Sequence, residues 1–556
     1  MKNNYVIGLD FGTDSVRALL VNVDTAEHTA VSIFNYPRWG KGLYVDSKKS
    51  LFRQHPLDYL EGLEYVLVDV INQCPDKSAI KAISIDSTAS TPCFINKYCT
   101  PLALTPGYEE NLDAMFVLWK DHTAREEAKE ISELSIKYKP NLAYQTGNNY
   151  SSEFFWAKAL HIIRHSKSIR KDAYGIIELC DWIPAVLTGQ KNLAKLKNCL
   201  AVAGGKLMWS STKNDYPPGS FFNALDSSLY PMVKHLSKNL YNADVPSEKI
   251  SKEWAVKLGL SDDVLIGVGN IDSYSGAVGG GIKKGTVVLN IGTSACYIAI
   301  MPLKNMKEKI VEGLFAQVNN SIVSGYVGYE AGLSAFGDVF AWYKKILCWP
   351  LDQFINTLDD NDVLTRKLIK KTKDDILDKL GEEAENINLT KETPLATDYL
   401  NGRRSPLPNT QLTASIIGLQ LCSTAPSLYY ALVEATAFAT RTVINHMKNN
   451  GITIDELVAI GGISQKSSFV MQLLSDVLKI PIYVTNDTNS CALGAVIHAA
   501  TLAGLFSSVL EAQKKLCSLI TKTYYPNSNK TELLDLRYEE YIKLSDFSEG
   551  IKNDEY

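Results

Sequence analysis

Apolar residues fall in short blocks interrupted by polar Gly-Thr tips. Val6 to Phe11 is apolar except for Gly8 and Asp10, Gly12-Thr13 makes a tip, and Val16 to Val21 is apolar again. That pattern predicts a hairpin. Val287 to Ile300 repeats it around Gly292-Thr293-Ser294. A hairpin of the same kind opening each half predicts two domains of common ancestry. Further strands are predicted at Ala79–Asp86, leading into the polar stretch Ser87 to Thr91, at Val264–Val268, and at Leu457–Ile460, leading into Gly461-Gly462. Between them lie helical periodicities. Ser427 to Met447 is a long amphipathic run, Ser468 to Leu478 is stopped by Pro481, and Ala492 to Leu505 is Ala-rich and predicts a buried helix. Strands and helices mixed in this order argue for an α/β fold class.

The domain boundary is expected near 265–285, where the strand Val264–Val268 is followed by a Gly-rich stretch, Gly276 to Gly281. This gives an N-terminal domain over 1–270, a second over 271–510, and an extension over 511–556 to which no role is assigned. The charged segment Asp359 to Glu392 predicts exposed helices of an insertion. One uncharged stretch, Gly285 to Leu303, raises the question of a membrane span. Asn290, Gly292, Thr293 and Ser294 at its centre are too polar for lipid, and its halves read as two strands.

Composition narrows the class. With 556 residues, 46% apolar and 21% charged, the chain is that of an ordinary globular protein able to bury large cores. A net charge of -4 with no basic run offers no footprint for nucleic acid. The ten cysteines are scattered without a CxxC pair, as expected for reduced thiols in a cytoplasmic protein. Asp10 interrupts the first apolar block, which argues against a secretory signal.

Candidate chemistry starts at the tips. In Asp10-Phe-Gly-Thr-Asp14 an acidic residue ends a strand and Gly12 lets the backbone approach a ligand. Thr13 and the exposed N–H groups suit phosphate oxygens, while Asp10 suits a water-mediated Mg2+. Most hairpins of this kind bind nothing, but Asn290 to Ser294 offers the same tip again. Two tips, one per domain, would grip a nucleotide from both sides. Gly461-Gly462 ends a strand just before a helix, where a flat ring or an anion can approach; a plain tight turn is the equal alternative. Gly267-Val-Gly-Asn-Ile-Asp272 resembles a dinucleotide fingerprint with Asp272 in place of the third glycine. Asp272 could take a proton from an attacking hydroxyl or cap the following helix. Trp119, Lys120, Asp121, His122 and Arg125 combine an aromatic face with charges, as a sugar site or a solvated helix start would. His161 and His165 lie four apart on a predicted helix with no third ligand motif, so they read as surface residues.

Together these segments resemble the FGGY carbohydrate kinase family over most of the chain. The resemblance rests on Gly8 to Thr13, Trp119 to Asp121, Gly269 to Asp272, Ile291 to Ser294, Ala459 to Gly462, and Gly418 through Glu434, which departs from the family at Ser427. Tyr36 to Trp39, Phe52 to Pro56, Ala114 to Ala124, Leu179 to Trp182 and Asn401 to Arg404 resemble the branch that phosphorylates L-ribulose. The resemblance implies two actin-like, ribonuclease H-like ATPase domains with a central cleft. It implies ATP-dependent formation of L-ribulose 5-phosphate in arabinose catabolism, with ATP and Mg2+ as cofactors. Asp272 matches the catalytic base and Asp10 the metal site. Sugar contacts map to Ala89, Lys206, Asp272 and Glu330, beside Trp119 and Asp121; Gly205 stands where a His is expected. Nucleotide contacts map to Gly12, Thr13, Arg17, Gly292, Thr293, Gly332, Gly461, Gly462 and Lys466.

The expected partners are a small-molecule pentulose and ATP, with no nucleic acid and no membrane; a homodimer is left open. The alternative within the class is a kinase for D-ribulose or D-xylulose. Outside it stand an actin-like or chaperone-like ATPase, for which no peptide-binding module follows, and a nicotinamide dehydrogenase, weakened by Asp272 in the fingerprint.

Overall fold

The computed structural model describes residues 3–306, 310–359, 361–485 and 489–553. The chain forms two compact units, each discontinuous in sequence. Unit 1 holds Met1–Lys284, Ile298–Glu330 and Asn489–Ser518, and unit 2 holds Gly285–Tyr297, Ala331–Thr488 and Leu519–Tyr556.

Unit 1 is built on a mixed sheet in the order Pro246–Lys249, Leu265–Gly267, Ile80–Ser87, Tyr5–Phe11, Ser15–Asn22, Glu27–Asn35. The predicted hairpin is present, with Asp10 opposite Arg17 in the antiparallel register. Tyr5–Phe11 also runs parallel to Ile80–Ser87, and there Asp10 lies opposite Asp86. A two-residue strand, Asn270–Ile271, extends the parallel register with Asn270 opposite Asp86. All seven residues of Tyr5–Phe11 are buried, as expected for a strand covered on both faces rather than one. The helix Ser490–Leu502 packs on that strand, and Pro56–Asn72 packs on the two strands after it.

The Gly-rich stretch at 276–281 lies just before Lys284, where the first segment of unit 1 ends. Its first four residues lie in the helix Asp272–Gly279, which packs on Ser490–Leu502. A Cβ on Gly279 would stand 2.0 Å from the Ser490 carbonyl oxygen, and one on Gly494 would stand 1.8 Å from that of Ser275. The glycines are there for backbone-to-backbone contact between two helices. The Ala-rich segment is thus the buried helix that its composition predicts, with bounds Ser490–Leu502.

Unit 2 has a parallel core in which Gly285–Ile291 pairs with Ile454–Ile460, and that strand pairs with Ile482–Thr485. Ile520–Tyr524 adds an antiparallel edge. The predicted amphipathic runs are helices at Ala425–Asn449 and Ser468–Leu478. The charged segment is one 23-residue helix, Val363–Glu385, rather than several. Its inner face, with Ile369, Leu380, Gly381 and Ala384, is buried, and the helix packs on Ala425–Asn449. The stretch Gly285–Leu303 falls in two strands and the start of a short helix. Among the described residues no helix is long and apolar enough to cross a membrane.

Candidate active site

The parallel register of unit 1 ends in carboxylates. Asp10 and Asp86 sit opposite each other on adjacent strands, and Asp272 opens the helix that follows Asn270–Ile271. Asp272 is the first helical residue and not the cap, which is Ile271. Its Oδ1 accepts the Ser273 N–H at 2.6 Å. Burial, followed by the charge of Asp10, pushes the Asp272 carboxyl up to about 7. Asp10 is also raised by burial, although the Arg17 guanidinium 3.5 Å away pulls the other way. Asp86 is fully buried, and no hydrogen bond of normal geometry reaches either of its oxygens among the described residues. Burial, then the charges of Asp10 and Asp272, hold it well above the carboxylate range. Three carboxyls this close cannot all ionise without a compensating cation.

Lys206 and Glu330 meet beside this cluster. Lys206 ends the helix Leu200–Lys206, and its Nζ donates to Glu330 Oε2 at 3.3 Å. The Tyr274 hydroxyl donates to the same oxygen at 3.0 Å. The Lys206 ammonium also lies over the Phe154 and Phe315 rings, 4.6 and 4.2 Å from their centroids. Both charged residues are buried. Both act on Asp272, Glu330 raising its pKa and Lys206 lowering it. The two are therefore paired with each other and share one electrostatic site with Asp272.

Ala89 is the half-exposed member of an otherwise buried turn, Thr88 to Thr91. Two buried charges hold that turn. Glu178 accepts from the Ser90 hydroxyl and, at 2.7 Å, from the Thr91 N–H. The Lys158 ammonium donates to the carbonyls of Ser90 at 2.6 Å and Leu118 at 2.9 Å. Burial pushes the Lys158 pKa down to about 8. The turn is thereby tied to the segment carrying Trp119, whose indole N–H donates to Thr13 Oγ1 at 3.0 Å. Asp121 is fully buried, and its oxygens are engaged inside the unit. They accept from the Arg53 guanidinium, from the Phe52 N–H at 2.7 Å, and from Thr123 Oγ1 at 2.6 Å.

The remaining candidates fall into two groups. Gly12, Thr13 and Arg17 lie at the hairpin of unit 1, where the Gly12 N–H closes the turn on the Ser15 carbonyl at 3.0 Å. Gly292, Thr293, Gly332, Gly461, Gly462 and Lys466 belong to unit 2. There the Gly292 N–H closes a matching turn on the Ser294 carbonyl at 2.9 Å. The N–H groups of Phe336 and Asp338 hold the Thr293 carbonyl at 2.8 and 3.0 Å. Gly461 adopts a φ of 97°, and a Cβ there would stand 2.5 Å from the Ile291 carbonyl oxygen. Only glycine satisfies both demands. Thr293, Gly462 and Lys466 are exposed.

Known proteins carry the same organisation. The N-terminal domain profile of the FGGY family of carbohydrate kinases matches residues 5–279, and the C-terminal domain profile matches 287–503. A ribulokinase of Vibrio parahaemolyticus is 38% identical over 551 residues, covering 98% of this chain and 96% of the relative. One from Halalkalibacterium halodurans is 30% identical, covering 98% and 95%. The chain belongs to the FGGY family of carbohydrate kinases. Solved structures agree on the fold of this FGGY chain. A xylulose kinase from Rhodospirillum rubrum superposes with a TM-score of 0.76 at 17% identity, covering 99% of each chain. A gluconate kinase from Lactobacillus acidophilus gives 0.75 at 19%, covering 98% of each. The FGGY fold is thus the actin-like pair of α/β domains that the resemblance implies, and the chain is a carbohydrate kinase.

Around the candidate residues the structure adds four that sequence reasoning did not single out: Asp86, Tyr274, Lys158 and Glu178. Asp86 carried a signal, an acid ending the apolar run Ile83-Ser-Ile85 beside a polar turn. The other three carried none, because each acts through a partner distant in sequence.

Proposed function

We propose that this kinase transfers the γ-phosphoryl group of ATP to the terminal hydroxyl of L-ribulose, giving L-ribulose 5-phosphate and ADP as a step of arabinose catabolism. The relatives named above as ribulokinases support the sugar. The observation that carries the chemistry is the elevated Asp272 carboxyl beside Asp10 and Asp86. Asp272, titrating near neutrality, is suited to accept the hydroxyl proton as the sugar oxygen attacks phosphorus and the bond to the ADP oxygen breaks. The donor-poor carboxylates Asp10 and Asp86 fit a hard divalent cation, and Mg2+ there would neutralise the charge of the phosphates. Lys206 and Glu330 would bond sugar hydroxyls, and Ala89 would line the sugar's path, while Trp119 and Asp121 support that wall. Gly12, Thr13 and Arg17 would face the phosphates. Gly292, Thr293, Gly332, Gly461, Gly462 and Lys466 would serve the nucleotide.

An ADP-release assay over L-ribulose, D-ribulose, D-xylulose and glycerol tests the reading. The highest kcat/KM is expected for L-ribulose. A higher value for either other pentulose would reassign the substrate, and ADP release indifferent to every sugar would overturn the kinase reading.

The Asp272 carboxyl near 7 also sets a pH dependence. A base works only when deprotonated, so a raised pKa moves the acid limb upward. We expect kcat/KM to fall by about tenfold per pH unit well below neutrality. Lys206→Met removes a charge that lowers the Asp272 pKa, so the limb should move to higher pH; Glu330→Gln removes one that raises it, and the limb should move lower. Each should also raise the KM for sugar about 10- to 150-fold, the range for a lost charged hydrogen bond, with little change in the KM for ATP. Limbs that stay in place in both variants would detach the pair from Asp272.

A further inference from the structure

Apart from the carboxylates of the active site, unit 1 carries a second cluster of metal-ligating side chains. The helix Arg125–Ser135 packs against Phe155–His165. Glu127 projects from the first, and His161 and His165, one turn apart, from the second. A ring nitrogen of each histidine and one Glu127 oxygen all lie within 4.8 Å of one another. The histidine spacing was visible in the sequence without a third ligand; the fold supplies it from a neighbouring helix.

We propose that Glu127, His161 and His165 form a binding site for a divalent transition-metal ion of the zinc class. Two imidazoles and one carboxylate are a donor set that zinc takes readily, whereas Mg2+ prefers oxygen alone. Glu127 is buried and already lies against His161. The His161 Nδ1 lies 3.2 Å from Glu127 Oε1, and the His165 Nδ1 lies 2.8 Å from the His161 carbonyl oxygen. A carbonyl partner of this kind orients an imidazole at metal sites. The two rings are 4.3 Å apart between centroids. Ligand atoms of a tetrahedral zinc stand roughly 3.3 Å apart, so the cluster must tighten. His165 is exposed and can turn about its side-chain bonds to do so. The neighbouring cation does not oppose binding, because Arg164 is paired with Glu130 at 2.6 Å. A bound ion would pin the two helices together. The second of them carries Lys158, which holds the Ser90 and Leu118 carbonyls.

The test is a zinc titration of the intact chain against a chromophoric chelator, with a thermal-denaturation scan with and without zinc. One zinc per chain and a rise in Tm are expected. Losing even an outer-shell partner typically weakens metal sites about 10- to 100-fold, so His165→Ala and His161→Ala should each lower the affinity at least that much and abolish the rise in Tm. His165→Ala decides the matter, since its exposed position keeps the fold intact, which far-UV circular dichroism checks. Zinc bound at wild-type affinity by His165→Ala would belong to thiols elsewhere and would overturn the proposal. The absence of any one-to-one site in the wild type would overturn it as well.

Discussion

Asp272→Asn should lower kcat about 10²- to 10⁴-fold, the range expected when a positioned general base is lost. The amide keeps the size of the side chain. Its oxygen can still accept the Ser273 N–H that Asp272 Oδ1 accepts at 2.6 Å. What it loses is the lone pair able to take a proton near neutrality. Binding of sugar, measured by calorimetry, should be largely retained. Stability separates loss of function from loss of fold. The change removes one of three mutually repelling carboxyls, so the charge that Asp272 places on Asp86 disappears. The variant should therefore melt at the wild-type temperature or above it, as happens where a site trades stability for activity. A folded variant turning over near the wild-type rate would remove Asp272 from the role of base.

Arg537→Ala should cost unit 2 about 3–5 kcal/mol, the range for breaking a buried ion pair by deleting one partner. Arg537 lies in the helix Thr531–Asn553, within the extension that had no assigned role. It is buried and meets the Glu434 carboxylate with two nitrogens, at 2.8 and 2.6 Å. It also donates to the carbonyls of Thr390, Thr393 and Pro394, each at 3.0 Å. Deletion strands one buried carboxylate and three carbonyls. Burial already pushes the Glu434 pKa up against the pull of Arg537. Without the arginine it rises further, so ionised Glu434 becomes a liability that grows with pH. The shift in urea midpoint should consequently be larger at pH 8 than at pH 5. A midpoint unchanged at both values would reduce the helix to an ornament of the unit.

Local pattern carried much of this fold. The Gly-Thr tips, the helix Ser468–Leu478 and the buried Ala-rich helix were legible because each is declared within a dozen residues by periodicity, a proline or composition. Gly461-Gly462 was legible as a glycine pair ending a strand before a helix, but the positive φ of Gly461 was not. Elements whose role depends on distant partners were not. The contact that Gly279 makes with Ser490 was not, because nothing near 276–281 announces a partner over 200 residues away. Asp86 looked like the end of a strand until its register placed it opposite Asp10. The pairing of Lys206 with Glu330 spans 124 residues and leaves no local trace.

The helix Ser490–Leu502 packs on the strand Tyr5–Phe11. During synthesis, the first strand leaves the ribosome with nearly 500 residues still to be made before its cover exists. At about 5–20 residues per second, that wait is on the order of half a minute to two minutes. Until then the apolar strand lacks one face of its packing, and hydrophobic surface that the complete unit buries stays transiently exposed. Completion of unit 1 waits for the helix Ser490–Leu502, and a product cut short before residue 490 lacks the piece that closes this unit.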